Sequence, residues 1–261
     1  MKHIIILIKY IGYYITSKNE HSVHSPFVYN FVTNVIYKKK QSEDFEKIKR
    51  LKQQLFKLKD KINIVDFGAG SNINKSKERQ VKDIAINSAK NEKFGKLLYR
   101  TIRYSKAQNI IELGTSLAIS TCYLAKANPS SHIYSFEGCP ETIKIAKKNL
   151  AYLDINNVSI IEGDFKLTLE NKLKKIKTVD FVFIDGNHQE KATIQYFDLI
   201  LKYSHNDTIF IFDDIYWSKG MENAWNHIKQ HDKSTVTIDL FFVGIVFIKK
   251  ELSKENFKIR F

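Results

Sequence analysis

Cysteine is nearly missing from this chain, with only Cys122 and Cys139 among 261 residues. Two cysteines give no disulfide framework, and neither sits at a metal-ligand spacing. A reducing, cytoplasmic setting is the expectation. Proline (three) and glycine (ten) are scarce as well, which excludes collagenous, linker-like and low-complexity readings. No apolar run reaches the ~20 residues of a membrane span. The most apolar stretch, Met1 to Ile15, is interrupted by Lys9 and followed by no small-residue cleavage site. A packed helix is expected there, not a targeting segment. Acidic residues are the minority, 28 against 42 basic, for a net charge of +14. The lysines are spread along helices as Lys-x-x-Lys instead of gathering with arginine and aromatics. Nucleic acid is therefore a disfavoured partner that the charge alone does not exclude.

What is present is ordinary for a globular protein: 43% apolar and 27% charged residues, enough for one α/β core with a helical extension. Residues 1–60 read as helical. Ser25-Pro26 offers an N-cap with proline at the first helical position, leading into Phe27 to Tyr37. Between Ser42 and Lys59, Phe45, Ile48, Leu51, Leu55 and Leu58 form one stripe on a charged helix. Asn63 to Ser71, with Gly68-Ala-Gly70, reads as an ordered loop or short edge strand and a candidate lid segment. The polar residues after it supply no crossover helix. A long helical pattern covers Asp83 to Tyr104. From Ala107 onward strands and helices alternate: strands at 107–113, 132–137, 158–162, 179–185 and 207–213, helices between them and at 220–230. Two final strands, Thr235–Phe241 and Val243–Lys249, are too close for a crossover and should pair as a hairpin. The expected fold is α/β: a Rossmann-like, doubly wound, mostly parallel seven-stranded sheet with a C-terminal antiparallel hairpin. The expected organisation is an N-terminal helical extension or lid over 1–82 and a cofactor-binding domain over 83–261.

The densest chemical signal is Asn109-Ile-Ile-Glu-Leu-Gly-Thr-Ser-Leu-Ala-Ile-Ser120, with Glu137 ending the next strand 17 residues later. An acid closes an apolar strand, a glycine turn leads into a helix, and a second strand delivers another carboxylate. That arrangement suits a nucleoside-bearing cofactor, whose ribose hydroxyls the second carboxylate can bind. Ligands of such sheets lie outside the strand carboxyl ends. Those ends here carry Glu112 and Gly114, Glu137, Asp164, Asp185, and Asp213 with Asp214. Asp164 also suits the N-cap of the following helix. Dinucleotide binding fits poorly, because Gly114-Thr-Ser-Leu-Ala-Ile119 offers one glycine where G-x-G-x-x-G needs three.

Glu112-Leu-Gly114-Thr-Ser-Leu-Ala118-Ile-Ser120 resembles the first motif of the class I S-adenosylmethionine-dependent methyltransferases. Together with Gly95-Lys-Leu-Leu98, it is similar to the catechol- and caffeoyl-CoA-type O-methyltransferases over roughly residues 90–250. His21-Ser-Val-His24-Ser-Pro26-Phe resembles an uncharacterised bacterial branch of the same superfamily. Ala118 departs from the motif, standing where those enzymes usually have glycine; a negative φ there would make the methyl tolerable.

The resemblance implies site roles. Glu112 would reach the cofactor's amino acid end through water or backbone, and Gly114, Thr115 and Ser116 would lie beneath the methionine moiety. Ser120 and Gly138 join this set. Glu137 would bind the ribose diol, Asp164 the adenine amino group, and Phe165 the ring. Asp185 would serve cofactor, metal and catalysis together. His188, three residues on, would be the general base that deprotonates an acceptor hydroxyl. Asp185, Asp213 and Asp214 form the candidate Mg²⁺ set. Tyr216 and Trp217 form a candidate substrate wall. The expected activity is methyl transfer from S-adenosylmethionine to a small-molecule hydroxyl, with or without Mg²⁺. Alternatives are an RNA-directed methyltransferase, a non-catalytic cofactor-binding protein and an NAD-dependent oxidoreductase. Asp185-Gly-Asn-His188 lacks the prolines of amino-methylating enzymes. A homodimer through the N-terminal helices is the candidate assembly.

Overall fold

The computed structural model describes residues 2–39, 42–65, 78–88 and 91–261. The Gly68-Ala-Gly70 segment lies outside them. The chain begins with α1 (Lys2–Thr16), α2 (Pro26–Phe31, prolonged by a π-helical turn over Val32–Ile36) and α3 (Glu43–Leu55). Ser25 caps α2 through the Val28 N–H, with Pro26 in the first turn, as expected. Phe45, Ile48, Leu51 and Leu55 are buried on α3. Leu58 is 39% exposed, because the helix stops before it can share their face.

Next come β1 (Lys61–Asn63) and β2 (Glu78–Gln80), an antiparallel pair, then α4 (Val81–Ser88) and α5 (Glu92–Ser105). The single long helix expected over 83–104 is two. Asn91, in extended conformation, accepts the Phe94 N–H at 2.8 Å and starts a new helix there. The alternating region follows as β3 (Asn109–Leu113), α6 (Ile119–Ala127), β4 (His132–Glu137), α7 (Pro140–Tyr152) and β5 (Val158–Glu162). Then come α8 (Phe165–Ile176), β6 (Val179–Ile184), α9 (Glu190–Leu201), β7 (Ser204–Asp213) and α10 (Lys219–Gln230). The chain closes with β8 (Val236–Asp239), β9 (Val243–Phe247) and β10 (Glu255–Lys258).

Two compact units result. One comprises residues 39–177; the other joins 1–38 to 178–261. In the first, β3, β4 and β5 run parallel in that order. In the second the order is β10-β8-β9-β7-β6. There β6 and β7 are parallel, β9 is antiparallel to both β7 and β8, and β10 pairs parallel with β8. The hairpin and the mostly parallel strand–helix alternation are borne out. Apart from the β1–β2 pair, the strands of the two units exceed the seven expected by β10, whose Glu-Asn-Phe-Lys carries little strand signal. It forms because β8 otherwise ends in an open edge.

In the unit of residues 39–177, α5 lies against α6 at Gly95. A Cβ there would overlap the Tyr123 ring. Gly95→Ala should thus reverse the gain that alanine normally brings to a helix interior. Thermal unfolding should show a loss of about 1–3 kcal/mol, as for an overpacked core.

Candidate functional site

In the unit of residues 39–177 the site is built around Glu112. This carboxyl has no solvent exposure. Its Oε1 accepts the Ser120 hydroxyl at 2.7 Å, and its Oε2 accepts Thr121 and Ser135, both at 2.6 Å. Thr115 shares a further hydroxyl contact with Ser135 at 2.6 Å. Burial pushes the Glu112 carboxyl up to about 7, against the pull of the three hydroxyls. Glu112 and Ser120 therefore bind each other. Their side chains support the turn. Thr121 and Ser135, the other two partners, were not legible as site residues.

The turn between β3 and α6 is left-handed at alternate residues: φ is 103° at Gly114, 47° at Ser116 and 63° at Ala118. The negative φ that would have excused Ala118 is not found. Its methyl sits in the region glycine normally fills, at a cost of about 1–2 kcal/mol. Several bonds hold the strained path. Gly114 and Thr115 donate their N–H groups to the Phe136 carbonyl at 3.0 and 3.1 Å, and Asn149 Nδ2 donates to Leu117 O at 2.9 Å. Ala118 offers α6 no side-chain cap. The donors of that helix's first turn are thus left to a ligand or to solvent.

Glu137 ends β4. Its Oε2 accepts the Ser116 N–H at 2.8 Å and its Oε1 the Cys139 N–H at 2.9 Å. Burial raises its pKa despite those donors. Two backbone donors fix the carboxylate's plane and leave lone pairs for further donors. Gly138 is half-buried beside it. Asp164 is the N-cap of α8, accepting the Lys166 N–H at 2.9 Å, so its capping role is real. Gly163, with φ 127°, ties the end of β5 to β4 by donating to Glu137 O at 2.9 Å. Phe165 meets Phe136 edge-on at 6.4 Å.

In the other unit, Asp185 follows β6, and Asp213 ends β7 with 2% exposure. Asp185, His188 and Asp213 each present a ligand atom within 4.8 Å of the other two, the one such group of three among the described residues. His188 Nε2 lies 3.7 Å from Asp185 Oδ1. Asp214 is not one of these three. It follows the last strand residue and turns left-handed, φ 55°, so its side chain departs from the direction of Asp213. Asn187 is also left-handed (φ 51°) and donates Nδ2 to the Tyr196 hydroxyl at 3.0 Å, anchoring the turn between Asp185 and His188. Tyr216 is not a free wall. Its hydroxyl donates to Asp239 Oδ2 at 2.5 Å, its ring stacks on Phe241 at 5.2 Å, and burial beside Asp239 raises its pKa.

Strands of this order, with acids at their carboxyl ends and a reversed final hairpin, define the Rossmann-like fold of class I methyltransferases. Solved structures share it. A methyltransferase from Podospora anserina, described as SAH-bound, is 14% identical with TM-score 0.62, covering 87% of this chain and 98% of its own. The O-methyltransferase TomG from Streptomyces achromogenes is 18% identical with TM-score 0.57, covering 85% and 95%. A putative caffeoyl-CoA O-methyltransferase from Staphylococcus aureus is 22% identical with TM-score 0.53, covering 60% and 82%. Residues 111–215 match the family model of a methyltransferase domain. The matched stretch contains the Glu112 turn, Glu137, Asp164 and the Asp185–His188–Asp213 group.

Two measurements check this geometry. Ala118→Gly should raise stability by up to about 1 kcal/mol in denaturant unfolding, strain relief exceeding the entropy that glycine adds to the unfolded chain. For Glu112, the folded pKa (about 7) lies above the ordinary carboxyl value of 4.5. The stability it contributes is therefore complete below pH 4.5 and is lost as pH rises through 7. The swing is about 3 kcal/mol. Glu112→Gln should flatten the melting temperature against pH in that window relative to the parent.

Proposed function

We propose that the protein is an S-adenosylmethionine-dependent O-methyltransferase of a small molecule. Glu137 carries the reading. It is a mostly buried carboxylate, held by two backbone N–H groups beside a left-handed turn at the end of the second strand of a methyltransferase domain. Such a carboxylate suits a ribose diol, and a turn with one glycine suits a ligand without phosphate. Gly114 and Ser116 are accessible where the methionine moiety would lie, and Thr115 is buried beneath. The uncapped start of α6 suits that moiety's carboxylate. Asp164 keeps one oxygen beyond its capping bond for the adenine amino group, with Phe165 for the ring.

S-adenosylmethionine, when bound, supplies an electrophilic methyl group on sulfur. The chain must orient the acceptor hydroxyl and take its proton. Imidazole titrates near ~6.5, so His188 can accept that proton at Nε2 at neutral pH. Asp185, at 3.7 Å, stabilises the imidazolium that results. A divalent cation is optional here. Asp185 and Asp213 are hard donors that fit Mg²⁺, which would lower the hydroxyl's pKa. Imidazole is a donor for softer ions. With Mg²⁺ held by the two carboxylates, His188 stays available as a base.

The reading includes a small-molecule acceptor, a cytoplasmic location and a helical extension over 1–82. Helices dominate residues 2–55, and no helix among the described residues is long and apolar enough to cross a membrane. It also includes a second copy of the chain as partner.

Calorimetry should detect S-adenosylmethionine binding and no NAD binding. Glu137→Ala should weaken the former ~10–100-fold, the loss of charge-assisted hydrogen bonds. His188→Ala should leave that affinity unchanged and lower turnover on any accepted hydroxyl ~10²–10⁴-fold. A chain that ignores S-adenosylmethionine ends the proposal; binding without turnover on a labelled-methyl metabolite screen, with and without Mg²⁺, makes it a binding protein.

A further inference from the structure

S-adenosylmethionine and its demethylated product differ by a methyl group and a charge. The donor carries a sulfonium, an ammonium and a carboxylate, so it is a net cation. The product is a thioether with no net charge. A methyl group is a weak handle for discrimination between ligands. Charge is the larger difference to read.

Glu112 is equipped to read it. Its carboxyl is fully buried near the end of β3, just before the turn whose Gly114 and Ser116 are half-open. The groups around it pull in opposite directions. Hydroxyls of Ser120 and Thr121 on α6 and of Ser135 on β4 favour the carboxylate. Burial and the second carboxyl, Glu137 at the end of β4, favour the acid. Burial wins, pushing the group up to about 7. Cys122 on α6 faces it too, but burial and the Glu112 charge push that thiol far up and keep it neutral. Glu112 is thus poised between two charge states, and a cation lying on the turn tips it toward the carboxylate.

A fully buried proton needs a way out, and a chain of hydroxyls supplies one. Ser135 Oγ lies 2.6 Å from Glu112 Oε2, and Thr115 Oγ1 lies 2.6 Å from Ser135 Oγ. With Glu112 ionised, Ser135 directs its one proton at the carboxylate, so Thr115 must donate to Ser135. With Glu112 protonated the chain can reverse, the acid donating to Ser135 and Ser135 to Thr115. The Thr115 proton then turns outward. Thr115 belongs to the turn itself, between Gly114 and Ser116. Two short steps join the interior acid to the ligand side.

We propose that Glu112 determines specificity for the cationic donor over its neutral product: donor binding draws it fully to the carboxylate, its proton leaving through Ser135 and Thr115. One O–H bond of the carboxyl breaks, the proton passes to water, and the sulfonium charge meets a carboxylate. Beside the thioether that charge is gone, and a proton returns from water to Glu112. This rests on the functional reading of the turn as the S-adenosylmethionine site. Donor affinity should rise with pH up to about 7 and level off above, where Glu112 is already ionised before the ligand arrives. Glu137 serves the ribose that both ligands share, so its own titration cancels when the two are compared.

Calorimetry of each ligand in two buffers of different ionisation enthalpy counts the protons released on binding. Near pH ~6.5 the donor should release roughly half a proton more than the product, for a shift of one pKa unit. The ratio of the two dissociation constants should move ~10-fold in the donor's favour between pH ~5.5 and ~8. Glu112→Gln should abolish both differences. Ser135→Ala removes a hydroxyl that favours the carboxylate, so the pH of maximal release should move upward. A loss of packing alone would not move that pH. The measurement on the parent chain needs no variant. Equal proton release by the two ligands overturns the inference and leaves the functional reading standing, as does a difference that persists in Glu112→Gln. Binding of neither ligand overturns the functional reading and this inference with it.

Discussion

A single buried carboxyl group holds the unit of residues 39–177 in shape. Glu112 lies inside the domain with no water to solvate it, and that desolvation is offset by three hydroxyls from two different elements. Ser120 and Thr121 belong to the first turn of α6, and Ser135 to β4. One side chain therefore fixes the helix start, the neighbouring strand and the turn between them. The turn needs that support, because Ser116 and Ala118 hold backbone angles that L-residues disfavour. Glu137 depends on the result, since one of its two backbone donors is the N–H of Ser116. The order of dependence runs from a buried acid in the interior to an oriented carboxylate at the edge.

The other unit uses the same device with different residues. Asn187 and Asp214 flank the Asp185–His188–Asp213 group, and both are left-handed. Asparagine and aspartate tolerate that region better than alanine does. A sharp turn directly after a strand is what sets Asp185 and Asp213 at the strand ends while the chain leaves in a new direction. Local strain of this kind persists where surrounding bonds over-determine it. Here they include Asn187 to Tyr196 and the Trp217 N–H to Asp214 O at 2.9 Å.

The alternating part of the chain was readable because periodicity and length act locally. Strands such as His132–Glu137 and Val158–Glu162 fall where the apolar runs put them. The acids at strand ends were readable for the same reason. What escaped depends on partners distant in sequence. Nothing near Ser135 says that its hydroxyl turns toward Glu112, and nothing near Ala118 says that its φ is positive. Asp214 looked equivalent to Asp213 because a sequence does not display the point where a strand's alternation stops. Strand β10 escaped because it is specified by the open edge of β8, not by its own residues. Asn91 was the exception: a capping residue in plain view inside a helical pattern, masked by the stronger apolar rhythm on either side.

The second unit is discontinuous, made of residues 1–38 and 178–261 with the whole of the first unit between them. Lys18 bridges to Ile259, and the N–H groups of Lys18 and Arg260 close the junction at 2.8 and 2.9 Å. On the ribosome, then, the chain does not fold in the order in which it emerges. Residues 39–177 carry their own strands and core and can condense while translation continues. Helix α1 must wait through more than two hundred further residues for Phe241 and Ile259. For that interval Tyr10 and Tyr13 lack the Phe241 ring they pack on, which leaves α1 in need of a chaperone's protection.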